Sequence, residues 1–451
     1  MNIRENLTSM SKESKKITTN IKQNTYPAWY DGKNINEYKF CECFLEENKL
    51  LYTENTFFGI DGRISRIDDI KALILDKIKN YCSVFISRKI DSIVNLLKIC
   101  SAVDDFPPEP DKIHFKNGTY FVGKKEFKPD KNKIVRFRLS IEYKTDAPKP
   151  LIWLDYLNDL FYPEDIPTIQ EFLGYCLVPT TKAQKALIIK GKGGEGKSQM
   201  GYVIKKLFGS YSKDGSIAKV SEDRFARADL EGILLMIDDD LKMEGLKQTD
   251  YIKKIITSQD KKDLERKGKQ SYQGYIYSRI MAFSNGDLIA LYDRSNGFFR
   301  RQLVITTKDR SPDRVDDPFI AEKMCKELDG ILVWQIEGLD RLISNNYVFT
   351  ESERTKANCE AVKSNSCNAI EFMDSEGFIR FNPEGSITAK DLYGIYCSWC
   401  TENAFEPMKQ RSFSNFIGEH LDSYKITHDN NVYNNDNTRV WGYHGLEKYT
   451  Q

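Results

Sequence analysis

Apolar residues recur at helical spacing in INEYKFCECFLEENKLL (35–51), IDDIKALILDKIKNY (67–81) and KIDSIVNLLKI (89–99), which predicts amphipathic helices. A short β-like piece, LLYTENTFFGID, lies between the first two, and the proline-rich PPEP at 107–110 breaks the pattern. Alternation returns in KIHFKNGTYFVGKKEFKP, where Asn117 and Gly118 supply a hairpin turn. The segment IPTIQEFLGYCL (166–177) is again helical and leads into a strand, Ala186 to Ile189. Downstream, ILLMIDDD (233–240) and RIMAFSN (279–285) are apolar strands that end in polar groups, and QLVIT (302–306) is a further strand. Strands that alternate with helices in this way predict an α/β fold with a parallel sheet.

Composition divides the chain. Residues 1–25 are rich in Lys, Ser, Thr and Asn without aromatics until Tyr26, and read as a flexible tail. A mainly helical, mixed domain is expected over 26–150, the α/β core over 151–345, a linker over 346–379 and a small module over 380–451. In that module TAKDLYGIYCSWC and KQRSFSNFIGEHL are helices, and YKITHDNNVYNNDNTRVWGYHG alternates like two strands around an Asn-rich turn. This order fits a winged helix, with Lys409 and Arg411 on the recognition helix facing DNA. Cys397 and Cys400 have CxxC spacing, but no second CxxC exists and both fall on the helix, so they read as core cysteines.

Charge narrows the partners. Lys plus Arg number 67 against 66 Asp plus Glu, a net charge of +1, so any nucleic-acid contact must come from local basic patches. No apolar run approaches a membrane span, and the polar start MNIRENLTSMSKESKK has no apolar signal core. The expectation is a soluble cytoplasmic protein without a membrane partner.

The stretch LIIKGKGGEGKS (187–198) carries the most specific chemistry. Gly191, Lys192, Gly193, Gly194, Glu195, Gly196, Lys197 and Ser198 spell GxxxxGK[ST], with a strand before and a helix after. Glycines let the backbone curl so that peptide N–H groups converge on a phosphate. Lys197 would then reach the β- and γ-phosphates of ATP, and the Ser198 hydroxyl would hold Mg²⁺. Asp238 and Asp239 close the next apolar strand: the first acid would hold Mg²⁺, and the second would orient the attacking water. Asp240 leaves that register open by one residue. Asn285, at the end of RIMAFSN, would reach the γ-phosphate or the lytic water from a strand beside the loop strand. Arg300 and Arg301 lie too far along the chain for their own loop and suit an arginine finger that enters a neighbour's site. Between the acids and Asn285, the basic, tyrosine-bearing ERKGKQSYQGY (265–275) reads equally as a solvated loop or as a hairpin that meets a threaded strand.

The segments TIQEFLGYCLVPTTKAQKALIIKGKGGEGKS, LLMIDDD, DLERKGKQSYQG, AFSNGD and DRSNGFFRR resemble the superfamily 3 AAA+ helicases of viruses and mobile elements. The likeness is to the helicase part of the phage/plasmid-type primase–helicases, specific over about 150–345 and looser over 26–150. It implies that Gly191 to Ser198 are motif A, Asp238 and Asp239 motif B, and Asn285 the sensor asparagine. Lys267 and Lys269 would belong to the DNA-facing hairpin, and the finger would fall on Arg300 or Arg301, with Arg301 favoured for its place next to the strand. The fold implied is multidomain α/β: a P-loop AAA+ motor core, a mainly helical N-terminal domain and a C-terminal winged helix. The function implied is a ring-forming, ATP-dependent replicative helicase of a mobile element, a homohexamer moving 3′ to 5′ on single-stranded and forked DNA. No primase signature precedes the motor, so a separate primase or polymerase would be its partner. The rival is an ATP switch, an origin-binding scaffold or loader that binds DNA without processive unwinding.

Overall fold

Helical period and strand alternation sort into separate layers in the computed structural model. It describes residues 26–64, 66–241, 246, 249–268, 270–286, 288, 296–310, 316–366, 368–403, 405, 407–434 and 436–449. The tail expected over 1–25 and the hairpin residue Lys269 lie outside these. Contacts divide the chain into two units. The first takes the described residues up to Thr145 with Ser271–Gly274, and the second takes Asp146–Gln270 with Tyr275 onward.

In the first unit, the three amphipathic segments form α1 (Glu37–Asn48), α2 (Ile67–Ile78) and α3 (Ile86–Cys100). The Asn36 side chain caps α1 by accepting from the Lys39 N–H at 3.0 Å. Phe40 and Phe44 of α1, Ile70 and Ile74 of α2, and Ile93 and Leu97 of α3 close one apolar core. Two antiparallel meanders complete the unit. They are β1 (Leu51–Thr53), β2 (Thr56–Gly59) and β3 (Gly62–Ile64), then β4 (Lys112–Phe115), β5 (Gly118–Phe121) and β6 (Glu126–Lys128). Phe115 pairs with Gly118, so Asn117 sits in the turn between β4 and β5.

The second unit opens with α4 (Leu151–Leu160) and α5 (Ile166–Tyr175). There follow β7 (Ala186–Lys190), α6 (Lys197–Phe208), β8 (Ser212–Asp214), α7 (Ile217–Glu222), α8 (Arg224–Ala228) and β9 (Leu235–Leu241). Next come α9 (Asp250–Thr257), β10 (Lys262–Leu264) and β12 (Arg279–Ser284), while β11 (Tyr272–Gly274), between these last two in the chain, belongs to the first unit. The chain continues through α10 (Asn296–Phe299), β13 (Gln302–Thr306), α11 (Ile320–Cys325) and α12 (Leu328–Ser344). A five-stranded sheet runs in the order β13-β7-β12-β9-β8, every neighbour parallel. Strands β7, β12 and β13 are buried along nearly their whole length, which is why they read as continuous apolar runs rather than alternating ones.

Helices α5 and α12 pack backbone to backbone. A Cβ on Gly174 would lie 2.2 Å from the Gln335 carbonyl oxygen, and one on Gly338 would lie 2.4 Å from that of Gln170. The fully buried Glu171 joins the same pair, accepting from Arg341 Nε at 2.6 Å and from the Thr350 N–H at 2.7 Å.

The stretch expected as a linker is largely helical. Its residues form α13 (Glu353–Ser366) and α14 (Asn368–Asp374). Helix α13 is too polar to show an apolar face in its sequence, ERTKANCEAVKSNS, yet it covers the outer side of β13. Asn358 Nδ2 donates to the Val304 carbonyl at 3.0 Å, and Cys359 Sγ to that of Gln302 at 3.4 Å. That removes an exposed sheet edge.

The last module runs β14 (Ile379–Thr388), α15 (Ala389–Glu402), α16 (Gln410–Glu419), α17 (Leu421–Tyr424), β15 (Thr427–Tyr433) and β16 (Arg439–Lys448). Its antiparallel sheet has the order β14-β16-β15. Phe372, Tyr396, Trp399, Cys400, Phe413 and Leu446 are among the residues of its core. Cys400 therefore packs in the core, where its Sγ accepts from Asn368 Nδ2 at 3.8 Å.

Candidate functional site

The loop after β7 is shaped by backbone that only glycine adopts readily. Gly193, Gly194 and Gly196 have φ of 103°, 81° and 100°. Gly191 is restricted differently: a Cβ there would lie 2.5 Å from Thr307 Oγ1 and 2.7 Å from Lys197 Nζ. The loop closes one wall of a cavity of about 780 Å³, also lined by Tyr156, Asp239, Asp240, Ser284 and Asn285.

The loop N–H groups already hold an anion, the carboxylate of Glu195. It accepts from the Lys192 N–H, from the Gly193 N–H at 2.9 Å and from Lys197 Nζ at 2.9 Å. Burial pushes its pKa up, but the Lys197 hydrogen bond and the loop N–H groups outweigh that and hold it below the ordinary carboxylate value. Lys197 is buried and also reaches Asn285 Oδ1 at 3.4 Å. Ser198, at the start of α6, is exposed to the cavity. The Tyr156 hydroxyl donates to the Gly196 carbonyl at 2.8 Å and ties the loop to α4. Helix α4 is itself capped at its start by Glu327, which accepts from the Ile152 and Trp153 N–H groups.

The acidic strand corrects the sequence reading by one residue. Asp239 and Asp240 line the cavity, whereas Asp238 is buried and does not. Its Oδ2 accepts from the Ile217 N–H at 2.7 Å, which fixes the start of α7. Burial raises the Asp238 pKa, against the opposing hydrogen bonds from the Ile217 and Asp240 backbones. The metal role expected of Asp238 therefore has no geometric support; Asp239 and Asp240 are the acids of the run that reach the cavity. Strand β12 lies between β7 and β9, pairing Ser284 with Lys190 on one side and Ala282 with Asp238 on the other. Asn285 is thereby set between the lysine and the acids.

Arg300 and Arg301 lie at the other end of the sheet. Gln302 pairs with Ala186 at the amino end of β7, so both arginines are a full strand length, roughly 16 Å, from the glycine loop of the same chain. Arg301 is half-buried and its guanidinium donates to the Gly297 carbonyl; Arg300 is exposed. Lys267 is exposed in the turn between β10 and β11, where Gly268 has φ of 74°. Lys409 and Arg411 are exposed at the start of α16.

Tyr156 and Arg310 escape sequence reasoning, since neither belongs to a local motif. Arg310 Nη1 would lie 3.7 Å from a Cβ on Gly194, and its guanidinium pairs with Asp316 at 2.8 Å. It is thus an arginine that the same chain brings to its own loop.

A Mg²⁺–nucleotide fits these residues. The glycine nest accepts an anion, Lys197 supplies buried positive charge, and Ser198 with Asp239 supplies hard oxygen ligands. Among the described residues no group of three or more His, Cys, Asp or Glu could hold a metal alone. Mg²⁺ would therefore take its other ligands from phosphate and water and lend charge to the phosphoryl oxygens.

The buried hydrogen bond of Asp238 separates it from its neighbours experimentally. Asp238→Ala leaves the Ile217 N–H unpaired and should cost about 1–3 kcal/mol in chemical denaturation. Asp239→Ala, at an exposed position, should leave the midpoint unchanged. Equal midpoints for the two variants would remove the structural role given to Asp238.

Residues 189–301 match the model of DUF5906, a family of unknown function. Two solved apo structures of the NrS-1 C-terminal region, residues 305–718, are similar to the chain at 14% identity. One has a TM-score of 0.52, covering 91% of this chain and 99% of the other. The second, an A form, has a TM-score of 0.51, with 90% and 98% covered. The likeness is one of fold. Among the described residues no helix is long and apolar enough to cross a membrane.

Proposed function

We propose that this chain is the ATP-driven motor of a DNA helicase that replicates a mobile element. The observation that carries the reading is the convergence of the glycine loop, Lys197, Asn285, Asp239 and Asp240 at the carboxyl ends of a parallel sheet. Ligands of open α/β sheets bind at that end. Lys197 would neutralise the β- and γ-phosphates, Asp239 and Ser198 would hold Mg²⁺, and Asp240 would orient the attacking water beside Asn285. Arg300 takes the finger role in preference to Arg301, because Arg301 is already bonded to Gly297. Since Arg300 lies a strand length from its own loop, it would serve a neighbour's site in a homohexamer. Lys267 would contact the threaded strand from its hairpin.

The winged-helix reading of the last module is supported by its order of α14, β14, α15, α16, β15 and β16, with β16 between the other two strands. Lys409 and Arg411 would then meet duplex phosphates. Travel from 3′ to 5′ rests on the superfamily 3 resemblance, as does a separate primase or polymerase partner.

Strand displacement on forked, 3′-tailed and 5′-tailed DNA tests the reading. Forked and 3′-tailed duplexes should open with ATP, and Lys197→Ala should abolish both opening and ATP turnover. Binding with turnover but no displacement on any substrate selects the ATP switch instead.

Sharing of the site between subunits has its own signature. Arg300→Ala should lower turnover by about 10³, and mixing it with Lys197→Ala should restore part of the activity. Mixed rings that stay inactive would rule out a finger acting across the interface.

Glu195 competes with phosphate for the loop, so Glu195→Gln should tighten ATP binding about tenfold, the worth of one charge-assisted hydrogen bond. Titration with a fluorescent ATP analogue reads the change. Unchanged or weaker affinity would mean that the carboxylate does not occupy the phosphate position.

A further inference from the structure

The two strands β15 and β16 turn a row of flat side chains outward. Register puts His428 opposite Tyr443 and Tyr433 opposite Arg439, so these four share one face with Trp441. Tyr443 is buried and belongs to the module's core, where it anchors the row. The His428 ring stacks on it with centroids 4.6 Å apart and lies 5.0 Å from Trp441. Trp441 is 59% exposed and Tyr433 52% exposed. The Arg439 guanidinium lies 5.7 Å from the Tyr433 ring centre, and its Nε donates to the Tyr433 hydroxyl at 3.0 Å. The opposite face differs in kind: it carries the Asp429–His444 pair at 3.2 Å and the buried Val432.

We infer that this face of β15 and β16 is a stacking platform for unpaired nucleic-acid bases. Every side chain in the row beyond Tyr443 is planar and exposed, and none is aliphatic. Bases have two flat faces and stack on tryptophan, tyrosine and histidine without regard to sequence, while arginine adds charge for the backbone. Bases paired inside a duplex offer only their edges in the grooves, so these rings favour unpaired bases. The platform is distinct from Lys409 and Arg411 on α16. The inference does not rest on ATP turnover, because the face exists whether or not the cavity binds a nucleotide.

The test uses the full chain without nucleotide, in a Lys267→Ala background so that the hairpin does not mask the effect. The probe is a fluorescein-labelled oligothymidine of about a dozen nucleotides, within the usual span of such platforms. Trp441→Ala should weaken binding about 5- to 100-fold, the range for loss of one stacked base, while Trp441→Phe keeps most of the affinity. Photocrosslinking with iodouracil in the same oligonucleotide should label Trp441, His428 or Tyr433, and a blunt duplex should not compete. Wild-type affinity in Trp441→Ala overturns the inference. So does loss of self-association in that variant with oligonucleotide binding intact, which would make the face a contact between copies of the chain.

Discussion

Three strand ends meet at Gly191 with no room for a side chain, and the cavity depends on that crowding. The Gly191 N–H donates to the Ser284 carbonyl of β12 at 2.9 Å, and the Thr307 N–H beyond β13 donates to the Lys190 carbonyl at 2.8 Å. Any Cβ would push against Thr307 and Lys197 together. The glycine therefore leaves room for the Thr307, Lys197 and Glu195 side-chain ends to converge beside the loop, while the pairing of β12 and β13 with β7 sets Asn285 on one side and the segment leading to Arg310 on the other. Strand pairing, rather than any single polar contact, holds the proposed catalytic groups in place.

The cavity is otherwise rich in negative charge. Asp155, Asp159, Asp239, Asp240, Asp316 and Asp317 all line it, against Lys197 within it and Arg310 beside the loop. A trianionic phosphate would be repelled from such a wall unless a divalent cation came with it. The balance favours a metal-complexed polyphosphate over a bare one, which fits the Mg²⁺–ATP proposed for the site.

The backbone demands of the glycine loop were legible in the sequence and register was not. The glycine loop announces itself because its spacing is continuous in the chain and each glycine has a backbone reason. The run Asp238–Asp239–Asp240 gives no such cue. Which acids face the cavity depends on an irregularity in the pairing of β12 with β9 between Ala282 and Ser284. Tyr156 and Arg310 come from segments forty and more than a hundred residues from the loop, so only the folded sheet brings them near. The stretch 346–379 misleads in the opposite direction. Helix α13 holds to β13 through Asn358 and Cys359, polar contacts that leave no periodic apolar stripe to read. The arginine pair could be placed beside its strand from sequence, but burial and the Gly297 contact distinguish Arg301 from Arg300 only in the folded chain.

The Glu195 carboxylate is tethered a few bonds from the N–H groups it satisfies, so its effective concentration at the nest is far above that of any free monoanion in solution. Chloride, acetate or free amino acids cannot displace a competitor held at such proximity. A ligand gains entry only by bringing several charges at once. Because Glu195 already satisfies the loop N–H groups, a polyphosphate binding as proposed would exchange one anion for another in a nest that is already shaped. In the proposed site, a single acidic residue among four glycines would thus act as a threshold against the common small anions of the cell.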